Sequence, residues 1–272
     1  MPRSFDPPIA AAPDRRILTG HMPAFTSIRA FVLPLSLIVA SSALGQTAAP
    51  DPTAAKSAVK QTGPDEYEVG GIKFNGRTRE IRVPTVVNFK QLPIEYMLVR
   101  ETGKTHESVL RTAINPADLQ VAILLCHYEP GTEGLAHPDA PKDLTPIKPL
   151  ALKTPGANRM KISVEWKAGN ETKRAPLSDW MLDINKRKPP ADLDTWIFSG
   201  SYVDKDGFAA QVQGSMIAVY LDRNSMINSP AKGNWDDTVW ISNPANIPDE
   251  GTPVTLIISP AQDKPVESKT KP

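Results

Sequence analysis

Proline and glycine punctuate this chain so densely that short strands joined by turns are favoured over long helices. The 272 residues include 28 prolines and 16 glycines, and each proline fixes φ and removes a backbone donor. Between these breaks the apolar residues often fall at strand spacing. Ile162, Val164 and Trp166 alternate with Lys161, Ser163, Glu165 and Lys167, the period-two pattern of a half-buried strand. Ile72-Lys73-Phe74, Asn75-Gly76 and Arg79 to Val83 read as a hairpin whose Asn-Gly pair supplies the positive φ angles of a two-residue turn. Ile94 to Arg100 and His106 to Thr112 read as a second antiparallel hairpin around Thr102-Gly103. Further strands are expected at Thr195 to Val203, Ser215 to Leu221, Val239 to Ser242 and Val254 to Ser259.

One stretch carries a full set of helix signals. Asn115 is placed as N-cap, Pro116 at the first helical position and Asp118 in the first turn. Leu119, Ala122, Ile123 and Cys126 then recur at helical spacing before Pro130-Gly131, so a main helix is expected over about 116–127. Ser178 to Leu182 predicts a short second helix. Residues 129–158 are rich in Pro, Gly, Lys and Asp, too long for an ordinary connector, and a division into two lobes would fall there. The expected fold is therefore α+β: β-rich, with antiparallel hairpins, one main helix and a short second one.

The ends read differently. Arg29 precedes an apolar run from Ala30 to Ala40, followed by Ser41-Ser42-Ala43-Leu44-Gly45-Gln46, which has the length and small-residue ending of a cleaved secretory signal. Cleavage is expected after Gly45, with Met22 as an alternative start of the chain. The apolar run is about half the roughly 20 residues a membrane span needs, so no span is expected after signal removal. Residues 46–65 and 260–272 hold few large apolar side chains and read as solvated tails. The folded part is expected over 66–259, in an exported protein of the periplasm or extracellular space.

A net charge of +1 leaves no electrostatic footprint for nucleic acid. The single cysteine, Cys126, excludes an intrachain disulfide, an iron–sulfur cluster and a thiolate zinc finger. No cofactor is expected.

The run from Glu95 through Gly103-Lys104-Thr105-His106-Glu107-Ser108 to Leu110 resembles the YdjY-domain family of exported bacterial proteins. In that family an apolar strand leads to a Gly-Lys-x-His-Glu-Ser core and then to an apolar helix ending in Pro-Gly, here Leu119 to Tyr128 and Pro130-Gly131. Trp196 to Ser201, Ile217 to Tyr220 and Pro248 to Thr255 echo it further on. Members can sit beside iron–sulfur or electron-transfer components, but this chain lacks the cysteines for a cluster. The resemblance names a domain and carries no activity with it.

His106, Glu107 and Ser108 bring together the side chains of nucleophilic hydrolysis. On a strand, however, His106 and Glu107 would point to opposite faces. His106 and Ser108 would share a face with Lys104, yet same-face neighbours lie roughly 7 Å apart, beyond hydrogen-bond reach. One of His106 and Glu107 is then expected to be buried and the other exposed. His106, Glu107, Cys126, His127 and His137 are potential metal ligands, but their spacing matches no compact zinc signature, and no metal site is assigned. Trp166, Trp180, Trp196, Trp235 and Trp240 are read as core in preference to sugar platforms. The expectation is a non-catalytic envelope module that binds a partner protein or small ligand through Lys104, His106, Glu107 and Ser108. The alternative is a hydrolase or metal-dependent enzyme using His106 and Glu107, with Asp204, Asp206, Asp236 or Asp237 completing the site.

Overall fold

In the computed structural model, which describes residues 57–91, 93–137, 139–140, 150–191 and 193–261, the alternating strands curl on themselves. The strands before the long loop are β1 (Lys60–Gly63), β2 (Glu66–Val69), β3 (Ile72–Asn75), β4 (Ile81–Val87), β5 (Tyr96–Arg100) and β6 (Ser108–Thr112), with helix α1 (Pro116–Leu125) following. After it come β7 (Arg159–Ala168), β8 (Glu171–Pro176), β9 (Met181–Asp183), β10 (Trp196–Phe198), β11 (Val203–Asp204), β12 (Gly207–Phe208), helix α2 (Ala209–Gln213), β13 (Ser215–Ala218), β14 (Ile227–Asn228), β15 (Trp240–Ser242) and β16 (Pro253–Pro260). The order β4-β16-β7-β10-β14-β13-β5-β6 returns to β4 through the β4–β6 pairing. Eight strands thus close a barrel. The signal segment expected at 1–45 and most of the tail lie outside the described residues, and among those described no helix is long and apolar enough to cross a membrane.

This corrects the α+β expectation, and the reason is one of covering area. Every barrel strand needs a partner for its apolar face, which a helix layer or the sheet's own curvature can provide. The ten-residue α1 packs instead on the flap of β2 and β3. The barrel therefore buries its own inner face. Ile81, Val83 and Val87 of β4, Met160, Ile162 and Val164 of β7, and Val254, Leu256 and Ile258 of β16 join one buried cluster. Side chains fill an eight-stranded barrel of this kind, each large aliphatic contributing about 1.5–3 kcal/mol. Nor do the strands divide into lobes at 129–158, because β4, before the loop, lies beside β16, which lies beside β7.

Local corrections follow the same logic. Pairing of β3 with β4 holds, at Lys73↔Arg82 and Phe74↔Ile81, but neither Asn75 nor Gly76 takes a positive φ. Asn75 accepts hydrogen bonds from the backbones of Arg77 and Thr78 through its Oδ1, and Arg79 supplies the left-handed residue at φ 62°. Within the stretch read as a solvated linker, residues 60–63 form β1. The second helix is a 3₁₀ turn, Leu177–Trp180, while α2 was unforeseen. Asn115 caps α1 through a 3.0 Å bond from Ala117 N, and the helix stops at Leu125 with Cys126 as C-cap.

The largest local departure concerns β5 and β6, expected as an antiparallel hairpin. They run parallel, in the register Tyr96↔Ser108, Leu98↔Leu110 and Arg100↔Thr112. Gly103 does not serve as a left-handed turn residue here. A Cβ there would come within 2.9 Å of Gln213 O and 3.2 Å of Gly214 Cα, so the missing side chain lets the crossing segment 101–107 press against the start of β13. The other edge of β5 is occupied by β13, antiparallel.

Candidate functional site

Parallel pairing brings the entrances of β5 and β6 to the same rim of the barrel. Glu95, just before β5, therefore sits beside Glu107, just before β6, and Glu95 N donates to Glu107 O at 3.1 Å. An antiparallel hairpin would have put these two residues at opposite ends. Thr105–Glu107 forms a 3₁₀ turn, in which successive side chains diverge by about a third of a revolution instead of alternating between faces. That permits a contact the strand reading forbade: His106 Nε2 lies 2.9 Å from Glu107 Oε1. Asn88 fixes both ends of the turn by donating to Thr105 O and Ser108 O.

The expected division into one buried and one exposed side chain holds in direction but not on the strand argument that led to it. The His106 side chain is 73% exposed and that of Glu107 30%. Ser108, placed with Lys104 and His106 on one face, is fully buried and donates its Oγ proton to Leu110 O at 2.7 Å. Lys104 does reach the cluster. Its Nζ donates to Tyr96 Oη at 3.0 Å, lies over the Tyr96 ring at 5.0 Å, and stands 3.9 Å from Glu95 Oε2. Tyr96 in turn donates to Asp222 Oδ2 at 2.9 Å.

Electrostatics concentrate on the two glutamates. Burial, followed by the charge of the nearby Glu107, pushes the Glu95 carboxyl above the ordinary range, against the opposing pull of Lys104, and the charge of Asp237 adds to the rise. Glu107 Oε2 is buried without a hydrogen-bond partner. Burial and the adjacent Asp222 push the Tyr96 phenol up as well. The hydroxyl therefore stays protonated and bridges the lysine and the aspartate.

Of the residues expected from the sequence, the structure gathers Lys104, His106 and Glu107 at the rim, and it adds Glu95, Tyr96 and Asp222, which were not expected there. The available signal was that Glu95 and Glu107 each stand immediately before an apolar strand, which matters only if the strands are parallel. Of the four outlying aspartates, Asp237 alone acts on Glu95. Asp236 bonds the backbone and hydroxyl of Thr238, and Asp204 and Asp206 lie on the separate β11–β12 hairpin. Cys126 is buried at the end of α1, with His127 next to it in the left-handed region, and the His137 ring packs at a tilt against Trp235. Among the described residues no three or more His, Cys, Asp or Glu side chains are arranged to hold a metal ion. Trp180, Trp196 and Trp240 are buried, and Trp166 packs edge-on against Trp180.

The fold and site define a closed β-barrel of mixed strand direction whose rim carries a histidine–carboxylate turn. The chain belongs to the YdjY domain family, whose model matches residues 72–259. No curated protein and no solved structure matches it.

Proposed function

We propose that the protein is an exported module of the cell envelope that binds a small ligand or a partner protein, without catalysis, through the rim formed by Lys104, His106, Glu107 and Glu95. The observation that carries this reading is the incompletely neutralised pair of glutamates. Two carboxylates share a partly desolvated corner, one oxygen is buried there without a partner, and because the Glu107 side chain keeps 30% of its surface exposed, a cation or hydrogen-bond donor docking on that exposed part would offset the charge of the pair. Such groups are costly to hold unpaired, so a binder gains affinity by relieving them. Export is supported by the apolar run from Ala30 to Ala40 and the small residues ending at Gly45.

The placing of Ser108 and Cys126 weighs against either acting as a hydrolytic nucleophile at this rim. Ser108 is buried with its proton committed to Leu110 O, and the Cys126 thiol is buried, its pKa pushed up to about 12 by burial. The test is native mass spectrometry of mature protein purified from the envelope, wild type beside Glu107→Gln and Lys104→Ala. A bound species retained by the wild type and lost from both variants supports the proposal. Turnover of an ester or amide panel, abolished by Glu107→Gln, would replace it with the enzyme reading.

A further inference from the structure

Away from the rim, the barrel wall splits. Along one edge β7 pairs with β16 from Met160 to Trp166. Along the other it pairs with β10 only at Arg159 and Met160, and with β8 only from Ser163 to Ala168. Lys161 and Ile162 therefore have no strand partner on that edge. The gap has a local cause: Pro176 ends β8 and turns the chain into the 3₁₀ turn Leu177–Trp180, while Trp196 first brings β10 alongside. Over this gap lies a cleft of about 740 Å³, within the roughly 300–1,000 Å³ of small-ligand sites.

Its walls are chemically specific. Lys161 and Arg174 contribute two cations, and Asp179 and Asp194 two carboxylates. None of the four makes an ion pair among the described residues, although opposite charges line one cavity. Arg174 is oriented by the 3.1 Å bond from its Nε to Ser163 Oγ, which leaves the two terminal nitrogens of the guanidinium free for a carboxylate. Pro176, Pro189 and Pro190 stiffen the walls, their fixed φ angles lowering the entropy lost when a ligand binds.

We infer that this cleft binds a short extended peptide carrying both an acidic and a basic side chain. Arg174 and Lys161 take the acidic group, Asp179 and Asp194 take the basic one, and the peptide backbone lies along the unpartnered stretch of β7, a form of strand addition. A ligand of one charge sign would leave two like charges in the cleft unpaired. A peptide of mixed sign compensates all four.

The probe is acetyl-Asp-Pro-Lys-amide, titrated into the mature protein and followed by amide chemical shifts, with acetyl-Ala-Pro-Ala-amide as control. Saturable shifts confined to residues 161–163, 174–179 and 193–196 are expected, with a millimolar or tighter Kd. Arg174→Ala and Lys161→Ala should each weaken binding about tenfold with unchanged melting temperature, and the neutral control should not bind. Absence of saturation at about 10 mM, equal binding by both variants, or equal binding of the control overturns the assignment. A chain ending at Pro260 is the second arm. If the probe binds that chain but not the wild type, the occupant is the protein's own C-terminal segment, and the free-peptide assignment falls.

Discussion

The C-terminus of α1 and the barrel rim are both built around a partly buried ionisable cluster, yet one is closed and the other open. At the helix end Arg79 donates from Nε to Cys126 O at 2.7 Å and from a terminal nitrogen to His127 O at 3.2 Å. The same guanidinium lies 4.4 Å from the Tyr128 ring centre, and Tyr128 Oη donates to Arg79 O. One cation meets the carbonyls and partial negative charge that a helix presents there. At the rim two carboxylates face each other, a lysine stands 3.9 Å from one of them, and a buried oxygen remains unpartnered. Burial raises proton affinities in both places: the Cys126 thiol is pushed up to about 12, and the Glu95 carboxyl is raised by burial and by Glu107. The Arg79 charge pulls the thiol back down, whereas at the rim the Glu107 charge adds to the rise of Glu95. The first cluster stabilises the fold, whereas the second carries an electrostatic cost that a ligand can remove.

The largest effect is expected where the comparison is most one-sided. Arg79→Ala removes two hydrogen bonds from a charged donor and the stacking on Tyr128, leaving helix carbonyls without their cap. Bonds to charged groups contribute about 1.5–3 kcal/mol, so chemical denaturation should show a loss of about 2–3 kcal/mol. A loss below about 0.5 kcal/mol would place the helix end in the same class as the rim and dissolve the contrast.

A smaller effect, dependent on pH, should come from Glu95. Its folded-state pKa is raised, so through the range just above the ordinary glutamate value of about 4.3 the native state holds more proton than the unfolded chain. Linkage then requires stability to fall with rising pH. The contribution is fully present below that ordinary value and is lost as pH passes through the raised one. Aspartates such as Asp183, held below their usual range mainly by hydrogen bonds to the Lys186 backbone, act in the opposite sense at lower pH. The informative quantity is therefore the difference between wild type and Glu95→Gln. Glu95→Gln should gain stability relative to wild type as pH rises from 4 to 7. A flat difference across that interval would mean that Glu95 titrates normally.

The two clusters also differ in how far they could be read from the sequence. The helix end depends on neighbours in the chain: Asn115, Pro116 and Asp118 set the start of α1, and the Leu119–Cys126 spacing sets its buried face. These signals act within a few residues and produced the expected helix. The rim depends on which edge of β5 receives β6. Gly103 was visible as a break, but its reason for being glycine is the close approach to Gly214, more than a hundred residues away. A turn reading could not distinguish that from a hairpin, and an antiparallel hairpin separates Glu95 from Glu107, whereas the parallel pairing brings them together. Barrel closure was hidden for the same reason, since β4 pairs with β16 across most of the folded chain. His106 and Glu107 were identified as chemistry-bearing residues, but their mutual contact required the 3₁₀ turn.

The smallest effects on stability should fall on His106 and Glu107, and their smallness is itself informative. His106 is mostly exposed, so its 2.9 Å contact with Glu107 is worth at most about 1 kcal/mol and in an exposed pair typically less. His106→Ala should therefore shift stability by no more than about 0.5 kcal/mol. Glu107→Gln keeps the shape, gives the corner a donor, and removes the charge that opposes ionisation of Glu95. At pH 7 it should be neutral or stabilising, and the Glu95 titration should move back toward the ordinary carboxylate range, as read by carboxyl carbon NMR. A residue whose neutralisation improves the fold is being retained against stability, the pattern expected of functional sites. Chemical denaturation of wild type, His106→Ala and Glu107→Gln at pH 7 decides the matter. If Glu107→Gln loses more than about 1 kcal/mol, the carboxylate is a structural element like Arg79, and the rim loses its claim to be a binding site.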